Sequence, residues 1–453
     1  MKKVLFLLFT CLLLIALVIP ACKGGGPPAG KTIKIGVIGP MEYKPGTHHW
    51  AGAVMARDEI NAAGGVKVGA DTYTIELIKA DSNEINSITD ATAAMEKLIS
   101  VDKADFVMGG FRTEAVFPMQ EVAMDNKKIF LNCGAAALAL HTPVKTDYDR
   151  YKYYFRCTPF CSTYLASNTV METGMAGAIM KEDTGINRPL RVAICAEGAQ
   201  WADAMVQIMK SWVPSKLGME VSGVWRPSPT ATELTAEMTA IEAAKTDIIC
   251  PIMGGPLGIP YARAWGELKV PAASVGINVE AQQYPFWEAT KGFGNYETSL
   301  NFYSENMQSS VKTKPFVDAF VAKYGEVPTY TAGIYDAIYV LTAAITRAGT
   351  LDSDAVVTEL EKTDFMSTQG RFVFTGIDAP LNDPHDVTYG PGYTTGIATQ
   401  WQDGKLLAVW PNAAYATDDA WKAVNYPGVA KWKTPPVVFD KLKAEAATQP
   451  AAP

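Results

Sequence analysis

Short apolar runs alternate with helical patterns along the chain from residue 33 onward. The first four runs lie at 33–38, 73–78, 106–108 and 129–131. Between the second and third runs, five apolar residues recur at intervals of three and four: Ile88, Ala91, Met95, Leu98 and Ile99. This spacing places them on one face of a helix. Strands that alternate with amphipathic helices are typical of a parallel sheet with crossover helices, so a doubly wound α/β lobe is predicted.

A second alternation of the same kind begins near position 190, with apolar runs at 191–195, 219–225 and 248–252. A chain of 453 residues is too long for one hydrophobic core, which indicates two lobes. A later apolar run at 299–303 precedes two expected helices near 313–325 and 332–348. These are predicted to return to the first lobe.

The predicted lobes are discontinuous in sequence. The first comprises residues 33–158 and 304–370, and the second comprises 159–303 and 371–435. Asp403 and Gly404 lie between two apolar runs late in the chain and predict a hairpin. Residues 436–453 end in Ala, Pro and Gln and are predicted to be a C-terminal tail, partly disordered.

The first residues have the composition of an export signal. Lys2 and Lys3 precede an apolar run at 4–19, and Pro-Ala-Cys follows. This run is short for a membrane-spanning helix, and a small residue followed by Cys22 favours cleavage and lipidation. We therefore predict a signal peptide at 1–21 and a lipidated tether at 22–32, with an uncut signal anchor as the alternative. The protein is then expected in the periplasm or at the cell surface, attached to the membrane through lipid alone.

Composition and motifs exclude several classes of function. The formal net charge of -7 argues against a nucleic-acid partner, which favours a basic face. Few cysteines remain after the leader, and only Cys157 and Cys161 are close enough to suggest a bridge. The chain has no G-x-S-x-G elbow, no H-E-x-x-H and no Gly-rich phosphate loop with Lys, so it is predicted not to be an enzyme and to need no cofactor. The adjacent His48 and His49 lack a third ligand at recognisable spacing, so no metal site is predicted.

Two segments near the start resemble a known family. IKIGVIGP at 33–40 and DEINAAGGV at 58–66 are similar to the opening of periplasmic leucine/isoleucine/valine-binding proteins of ABC importers. FVMGG at 106–110, FRCTP at 155–159 and an aromatic residue, Trp201, after the strand ending at 195 extend the resemblance over residues 32–410. It implies the type I periplasmic binding protein fold, in which two doubly wound parallel-sheet lobes joined by a three-strand hinge close on a ligand.

Strand ends in the first lobe supply candidate ligand contacts. Ligands of open α/β sheets collect at the carboxyl ends of strands, where helix N-termini present N–H donors. Family members use a hydroxyl aligned with Thr113 to hold a carboxylate, although Thr113 also suits a simple N-cap. Arg112 would donate two parallel hydrogen bonds to an acidic group of the ligand, or would pair with Glu114.

Other candidates follow from the next strand end and from the family. After the run at 129–131, the small side chains of Gly134, Ala135 and Ala136 would let a ligand approach the backbone amides. The family hydroxyl near Ala136 is missing here.

Aromatic and polar candidates complete the predicted site. By resemblance, Trp50 stands where relatives place an aromatic against the ligand, and Trp201 stands in place of a tyrosine that closes over it; ordinary helix packing is the alternative for Trp201. Either Asn278 or Glu280 occupies the position of the acid that binds a ligand ammonium. Tyr330 is a candidate for the side-chain pocket.

The predicted function is therefore extracytoplasmic solute binding. The ligand would be a branched-chain amino acid or a related small carboxylate, and the partner an ABC permease complex. The alternative is a ligand sensor of the same fold, of the amide or urea type, that signals to a partner. Lobe closure would be a population shift driven by ligand contacts from both lobes.

Overall fold

The computed structural model describes residues 30–379, 383–416 and 418–449. Within them, the first alternation forms a six-stranded sheet in the order β2-β3-β1-β4-β5-β6. Its strands are β1 (Thr32–Gly39), β2 (Val66–Val68), β3 (Asp71–Asp81), β4 (Phe106–Gly109), β5 (Phe130–Asn132) and β6 (Tyr154–Arg156). All neighbours pair in parallel except β2 and β3, which form an antiparallel hairpin.

Helices cover both faces of this sheet. They are α1 (Lys44–Ala62), α2 (Ile88–Ser100), α3 (Thr113–Asp125), α4 (Thr142–Thr146) and α5 (Tyr148–Tyr151). The stripe predicted on α2 is buried against the core except for Ile88 at the first position of the helix, which is 48% exposed. The Ser87 hydroxyl caps α2 by accepting a hydrogen bond from the Asp90 amide. The predicted periodicity therefore identified the buried face.

The second alternation forms a seven-stranded sheet in the order β15-β14-β11-β10-β9-β7-β8. Its elements begin with α6 (Ser162–Thr184), β7 (Arg191–Ala196), α7 (Gln200–Leu217), β8 (Glu220–Trp225), α8 (Thr235–Ala243), β9 (Ile248–Met253), α9 (Gly258–Glu267), β10 (Ala273–Asn278), α10 (Pro285–Ala289) and β11 (Thr298–Asn301). Strands β7 to β11 pair in parallel. This sheet is the core of the second lobe.

The chain then returns to the first sheet through α11 (Thr313–Tyr324), α12 (Ile334–Ala348), α13 (Ser353–Leu360) and the hairpin of β12 (Asp364–Ser367) and β13 (Gly370–Val373). It passes between the sheets at 157–161, 302–312 and 388–396. Phe372, Phe374 and Val387 pack in the core of the first sheet. The predicted boundary at 370/371 is therefore too early, because this apolar segment is buried against the first lobe.

The second sheet is completed by β14 (Ile397–Gln402) and β15 (Lys405–Trp410). They pair antiparallel through the predicted Asp403-Gly404 turn, where both residues have positive φ (54° and 80°).

The segment after β15 contains α14 (Asp419–Lys422) and α15 (Pro436–Ala446). The prediction of a tail from 436 onward is wrong for α15. This helix packs on α6 with Val438 and Leu442 buried, and Lys441 Nζ lies 2.8 Å from Asp247 Oδ1. Its apolar face and this ion pair hold it on the second lobe.

Other predictions concern the thiols, the metal site and the leader. Cys157 and Cys161 are both free and buried, so they form no bridge. Among the described residues, no group of three or more His, Cys, Asp and Glu side chains is arranged to hold a metal ion, and no helix is long and apolar enough to cross a bilayer. The predicted signal peptide, Cys22 and most of the tether lie outside the described residues, as do the last four positions.

Candidate ligand-binding site

The turn between β4 and α3 brings backbone amides to the carboxyl end of the first sheet. Gly109 and Gly110 have φ of 116° and 77°, and a Cβ atom on Gly109 would lie 1.9 Å from the Ile38 carbonyl oxygen. Only glycine allows this close approach in the left-handed region. The turn presents the N–H groups of Phe111 and Arg112 at this end of the sheet.

The side chain of Glu84 accepts hydrogen bonds from both of these amides. Its Oε2 accepts hydrogen bonds from Phe111 N (3.0 Å) and Arg112 N (2.7 Å), while the Ser82 hydroxyl donates to its Oε1 at 2.7 Å. The side chain is 2% exposed. Burial raises the pKa of the Glu84 carboxyl, although the bonds from Ser82 and the two amides oppose that rise. An internal carboxyl group therefore takes the two amides that directly precede Thr113, the predicted carboxylate contact.

The second predicted set of amides, after β5, is also engaged from within the chain. Asn132 Oδ1 accepts hydrogen bonds from Gly134 N and Ala135 N, each at 3.0 Å. Ala137 N donates to the Thr113 hydroxyl at 3.4 Å. These loops are thus held in place by their own neighbouring side chains.

The second lobe contributes Glu197 and Trp201. Glu197 directly follows β7, and its Oε1 accepts a hydrogen bond from the Trp201 indole N–H one helical turn later. Glu197 is 1% exposed, and its Oε2 has no hydrogen-bond partner. Burial raises the pKa of this carboxyl, and the Trp201 bond and the Arg112 charge only partly oppose the shift.

A small cavity lies between the lobes. Its volume is about 20 Å³, and both lobes line it: Phe111, Arg112, Gly134, Ala136, Phe160, Glu197, Trp201, Gly254, Val279 and Tyr330. The Phe160 and Tyr330 rings stack at 3.8 Å. Such a volume holds roughly one water-sized group. We call it the inner cavity.

A larger space adjoins it. This outer chamber has a volume of about 350 Å³, and its walls include Glu84, Arg112, Glu114, Glu197 and Gln200. Arg112 and Glu197 line both spaces, so the outer chamber and the inner cavity adjoin each other. The chamber carries three carboxyl side chains and one guanidinium.

The lobes are joined across the chamber by Glu114. This residue lies in the first turn of α3, and its Oε1 accepts a hydrogen bond from Gln200 N, the first residue of α7, at 2.8 Å. Arg112 Nε lies 3.7 Å from the other Glu114 oxygen. A carboxylate at a helix N-terminus is stabilised by the helix dipole and by unpaired N–H groups. Glu114 therefore acts as a latch between the lobes.

Comparison with known proteins identifies this arrangement. A model of the family described as periplasmic binding protein matches residues 32–388. The chain belongs to the periplasmic binding protein family. Members of this family act outside the cytoplasm and bind solutes, which agrees with the prediction that the chain is not an enzyme.

Relatives of this periplasmic binding protein share its fold over nearly their whole length. The Leu/Ile/Val-binding protein homolog 7 of Brucella abortus is 23% identical over 412 residues, covering 88% of this chain and 97% of the relative. The Streptococcus pneumoniae LivJ structure, in complex with isoleucine, has a TM-score of 0.66 at 21% identity and covers 83% of this chain and 98% of that chain. An R. palustris solute-binding protein in complex with benzoate has a TM-score of 0.65 at 17% identity, covering 83% and 95%. The predicted family and type I fold are confirmed.

The structure brings some of the predicted site residues together. Five of them line the inner cavity: Arg112, Gly134, Ala136, Trp201 and Tyr330. Thr113 and Ala135 are buried immediately behind its wall.

Three predicted site residues lie elsewhere. Trp50 is part of α1 and packs on the first core beside Lys79. The Asn278 amide donates to Glu297 and to the Gly258 carbonyl, and Glu280 follows β10 without lining either space. The ammonium contact predicted for Asn278 or Glu280 is thus not supported by their positions, because Val279 between them faces the cavity.

Sequence reasoning missed Glu84 and Glu197. Both stand just beyond the carboxyl end of a strand, β3 and β7, which is the same rule that selected Thr113. An acidic residue within a few positions after each of these strands was therefore the available signal. Phe111 and Phe160 gave no comparable signal, since aromatic residues are common in cores.

We expect Glu114→Ala to weaken closure of this periplasmic binding protein. Losing one charge-assisted hydrogen bond at a helix N-terminus costs about 1 kcal/mol, or roughly a fivefold shift in the closed-to-open ratio. Small-angle X-ray scattering without ligand would then show a larger radius of gyration than in the unchanged protein. Glu96→Ala, at an exposed position on α2, is the control. An unchanged radius in both variants would contradict the latch.

Proposed function

We propose that this protein captures a small solute between its lobes outside the cytoplasm and delivers it to an ABC importer. The observation that carries the proposal is the pair of adjoining spaces between the lobes, which share Arg112 and Glu197 as lining residues. Residues from both lobes would contact one ligand, so binding would favour the closed arrangement.

The proposal extends to the anchor and the partner. Cys22 would carry lipid that holds the protein at the membrane, and the Gly/Pro-rich tether would let the lobes reach a permease. Relatives are named Leu/Ile/Val-binding protein homologs, and the S. pneumoniae neighbour is described as part of a branched-chain amino acid transporter. These names support an importer partner. The ligand inferred from the sequence, a branched-chain amino acid or related small carboxylate, stays a prediction.

Ligand-dependent thermal unfolding tests this function. The panel comprises leucine, isoleucine, valine, benzoate, urea, aliphatic amides and aliphatic amines. A true ligand stabilises the native state by mass action, by about 2.7 kcal/mol at a hundredfold excess over Kd, and the melting temperature rises with its concentration. Trp201→Ala removes part of the cavity wall and should reduce the response. A panel that gives no shift at any concentration would contradict the proposal.

A further inference from the structure

The charges facing the outer chamber are mainly negative. Glu84, Glu114 and Glu197 line it together with a single guanidinium, Arg112. Arg112 Nε is 3.7 Å from Glu114, and the guanidinium also lies close enough to Glu84 and Glu197 to lower their pKa values. Its charge is therefore already balanced by the chamber's own carboxyl groups. A ligand acid would add a fourth carboxyl group to a chamber that has one guanidinium.

Four backbone donors near the site are occupied. Glu84 accepts from the amides of Phe111 and Arg112, and Asn132 accepts from those of Gly134 and Ala135. A ligand carboxylate would have to displace one of these side chains. Displacing Glu84 would leave its buried carboxylate without its two amide donors, which is unfavourable.

Glu197 provides a hydrogen-bond acceptor, which suits a donor group on the ligand and not a carboxylate. Its Oε2 is buried and has no hydrogen-bond partner within normal geometry. Burial raises the pKa of this carboxyl, while Trp201, the Arg112 charge and the Gly254 backbone oppose the rise. An unpaired buried oxygen of this kind is costly until a donor reaches it. A positively charged donor would provide both the hydrogen bond and the compensating charge.

The inner cavity has the size and lining for such a donor. At about 20 Å³ it has room for one group the size of water, which matches a primary ammonium and excludes a bulkier one. Its walls include the rings of Phe111, Phe160, Trp201 and Tyr330. A ring whose face meets the ammonium would add a cation–π attraction.

From these observations, and resting on the function proposed above, we infer that the solute is a small primary amine. Its ammonium enters the inner cavity and donates to Glu197, and its body lies in the outer chamber. It has no carboxylate bound at the β4–α3 turn, because Glu84 fills that place.

Two matched sets of compounds test this assignment by calorimetry with the full protein. The first is 3-methylbutylamine, leucine and 4-methylpentanoate, which share one apolar body. The second is putrescine, 4-aminobutyrate and succinate, which share one chain length. In each set we expect the amine without a carboxylate to bind tightest and the compound without an amine to give no heat of binding.

Substitutions test whether Glu197 is the residue that contacts the ligand ammonium. Glu197→Gln should weaken amine binding by about 10- to 100-fold, the range for a hydrogen bond to a charged group. Glu233→Gln, at an exposed loop position on the same lobe, is the matched control and should leave the Kd unchanged. Circular dichroism would verify that both variants are folded. An equal loss of affinity in both would overturn the role of Glu197.

Glu84→Ala tests the occupied turn independently. It frees the amides of Phe111 and Arg112, so 4-methylpentanoate should gain affinity by about 10-fold or more. No gain in a folded variant would overturn the statement that Glu84 excludes the carboxylate.

The outcomes separate this inference from the proposed function. Binding of carboxylates without amines overturns the inference and leaves solute capture intact. If leucine binds but 3-methylbutylamine and 4-methylpentanoate do not, the inference is also overturned, because the site would then need both the amine and the carboxylate. If no amine binds, the inference fails, and solute capture fails as well only if the wider panel above gives no shift.

Discussion

Replacing Arg156 by methionine is expected to destabilise the protein by about 3 to 5 kcal/mol, because it leaves a buried carboxylate without its partner. Arg156 and Asp386 are both fully buried, with Nη1 2.6 Å from Oδ2. The guanidinium also donates to the carbonyls of Ala135 (3.1 Å) and Ala137 (2.8 Å). The same substitution therefore releases the loop after β5 that lines the site.

The pKa of Asp386 should respond directly to the loss of the Arg156 guanidinium. Burial raises its pKa to about 6 even with Arg156 beside it, so removing the guanidinium should raise that pKa further. His141 Nε2 lies 3.8 Å from Asp386, but burial and the Arg156 charge lower the pKa of His141 well below its usual value while Arg156 is present.

Urea unfolding at neutral pH measures the effect of Arg156→Met. The double variant Arg156→Met with Asp386→Leu is the control, since removing both charges of a buried pair is often neutral or stabilising. We expect the double variant to recover much of the lost free energy of unfolding. Equal destabilisation by the single and double variants would show that the carbonyl contacts, and not the ion pair, dominate.

Glu297 is expected to make the protein less stable as pH rises. The carboxyl is buried just before β11, its Oε1 accepts a hydrogen bond from the Asn278 amide at 2.7 Å, and its Oε2 has no partner. Burial raises its pKa from 4.5 to about 8 in the folded protein, although the Asn278 bond opposes the shift.

The sign follows from proton linkage. The folded state binds the Glu297 proton more tightly than the unfolded state, so the stabilisation is fully present below about pH 4.5 and is lost as pH rises through about 8. At 1.36 kcal/mol per pKa unit, the loss amounts to about 3 to 5 kcal/mol. Other buried carboxyls with raised pKa values, Glu172 and Asp336, act in the same direction.

The Glu297→Gln variant isolates this contribution. Its free energy of unfolding, relative to the unchanged protein, should rise by about 3 to 5 kcal/mol between roughly pH 4 and pH 9. Urea titrations across that range provide the measurement, and Glu233→Gln should leave the pH dependence unaltered. Parallel pH profiles for the Glu297→Gln variant and the unchanged protein would contradict the assignment.

Much of the fold could be predicted from local sequence. The apolar runs match β1, β3, β4, β5, β7, β8, β9 and β11 within a few residues. Most of these strands are buried in a parallel sheet and are therefore apolar on both faces. The spacing on α2 identified its buried stripe, and Asp403-Gly404 identified a turn that needs two positive φ angles. These features depend on neighbours within a few positions, and so they can be recognised in the sequence.

The candidate site was only partly predictable. Thr113 was chosen for its hydroxyl and the small residues after β5 for their backbone amides. The structure shows that Glu84 takes the two amides before Thr113 and that Asn132 takes those of Gly134 and Ala135. Glu84 and its partner Arg112 are 28 positions apart in the sequence, and Asp386 and its partner Arg156 are 230 positions apart. Which charged side chain meets which donor depends on how the loops of several strands come together, and no local pattern encodes that.

The sequence by itself determined the α/β alternation, the two lobes and the family resemblance, because hydrophobic periodicity and glycine requirements are local properties of the chain. Only the tertiary structure shows that α15 docks on α6 and that Phe372, Phe374 and Val387 pack in the first lobe. It also shows that Glu84 takes the two amides before Thr113, while Glu197 Oε2 has no hydrogen-bond partner. The physical reason is that burial and hydrogen-bond pairing of polar groups are set by contacts between distant segments, and these contacts determine which charge a ligand meets.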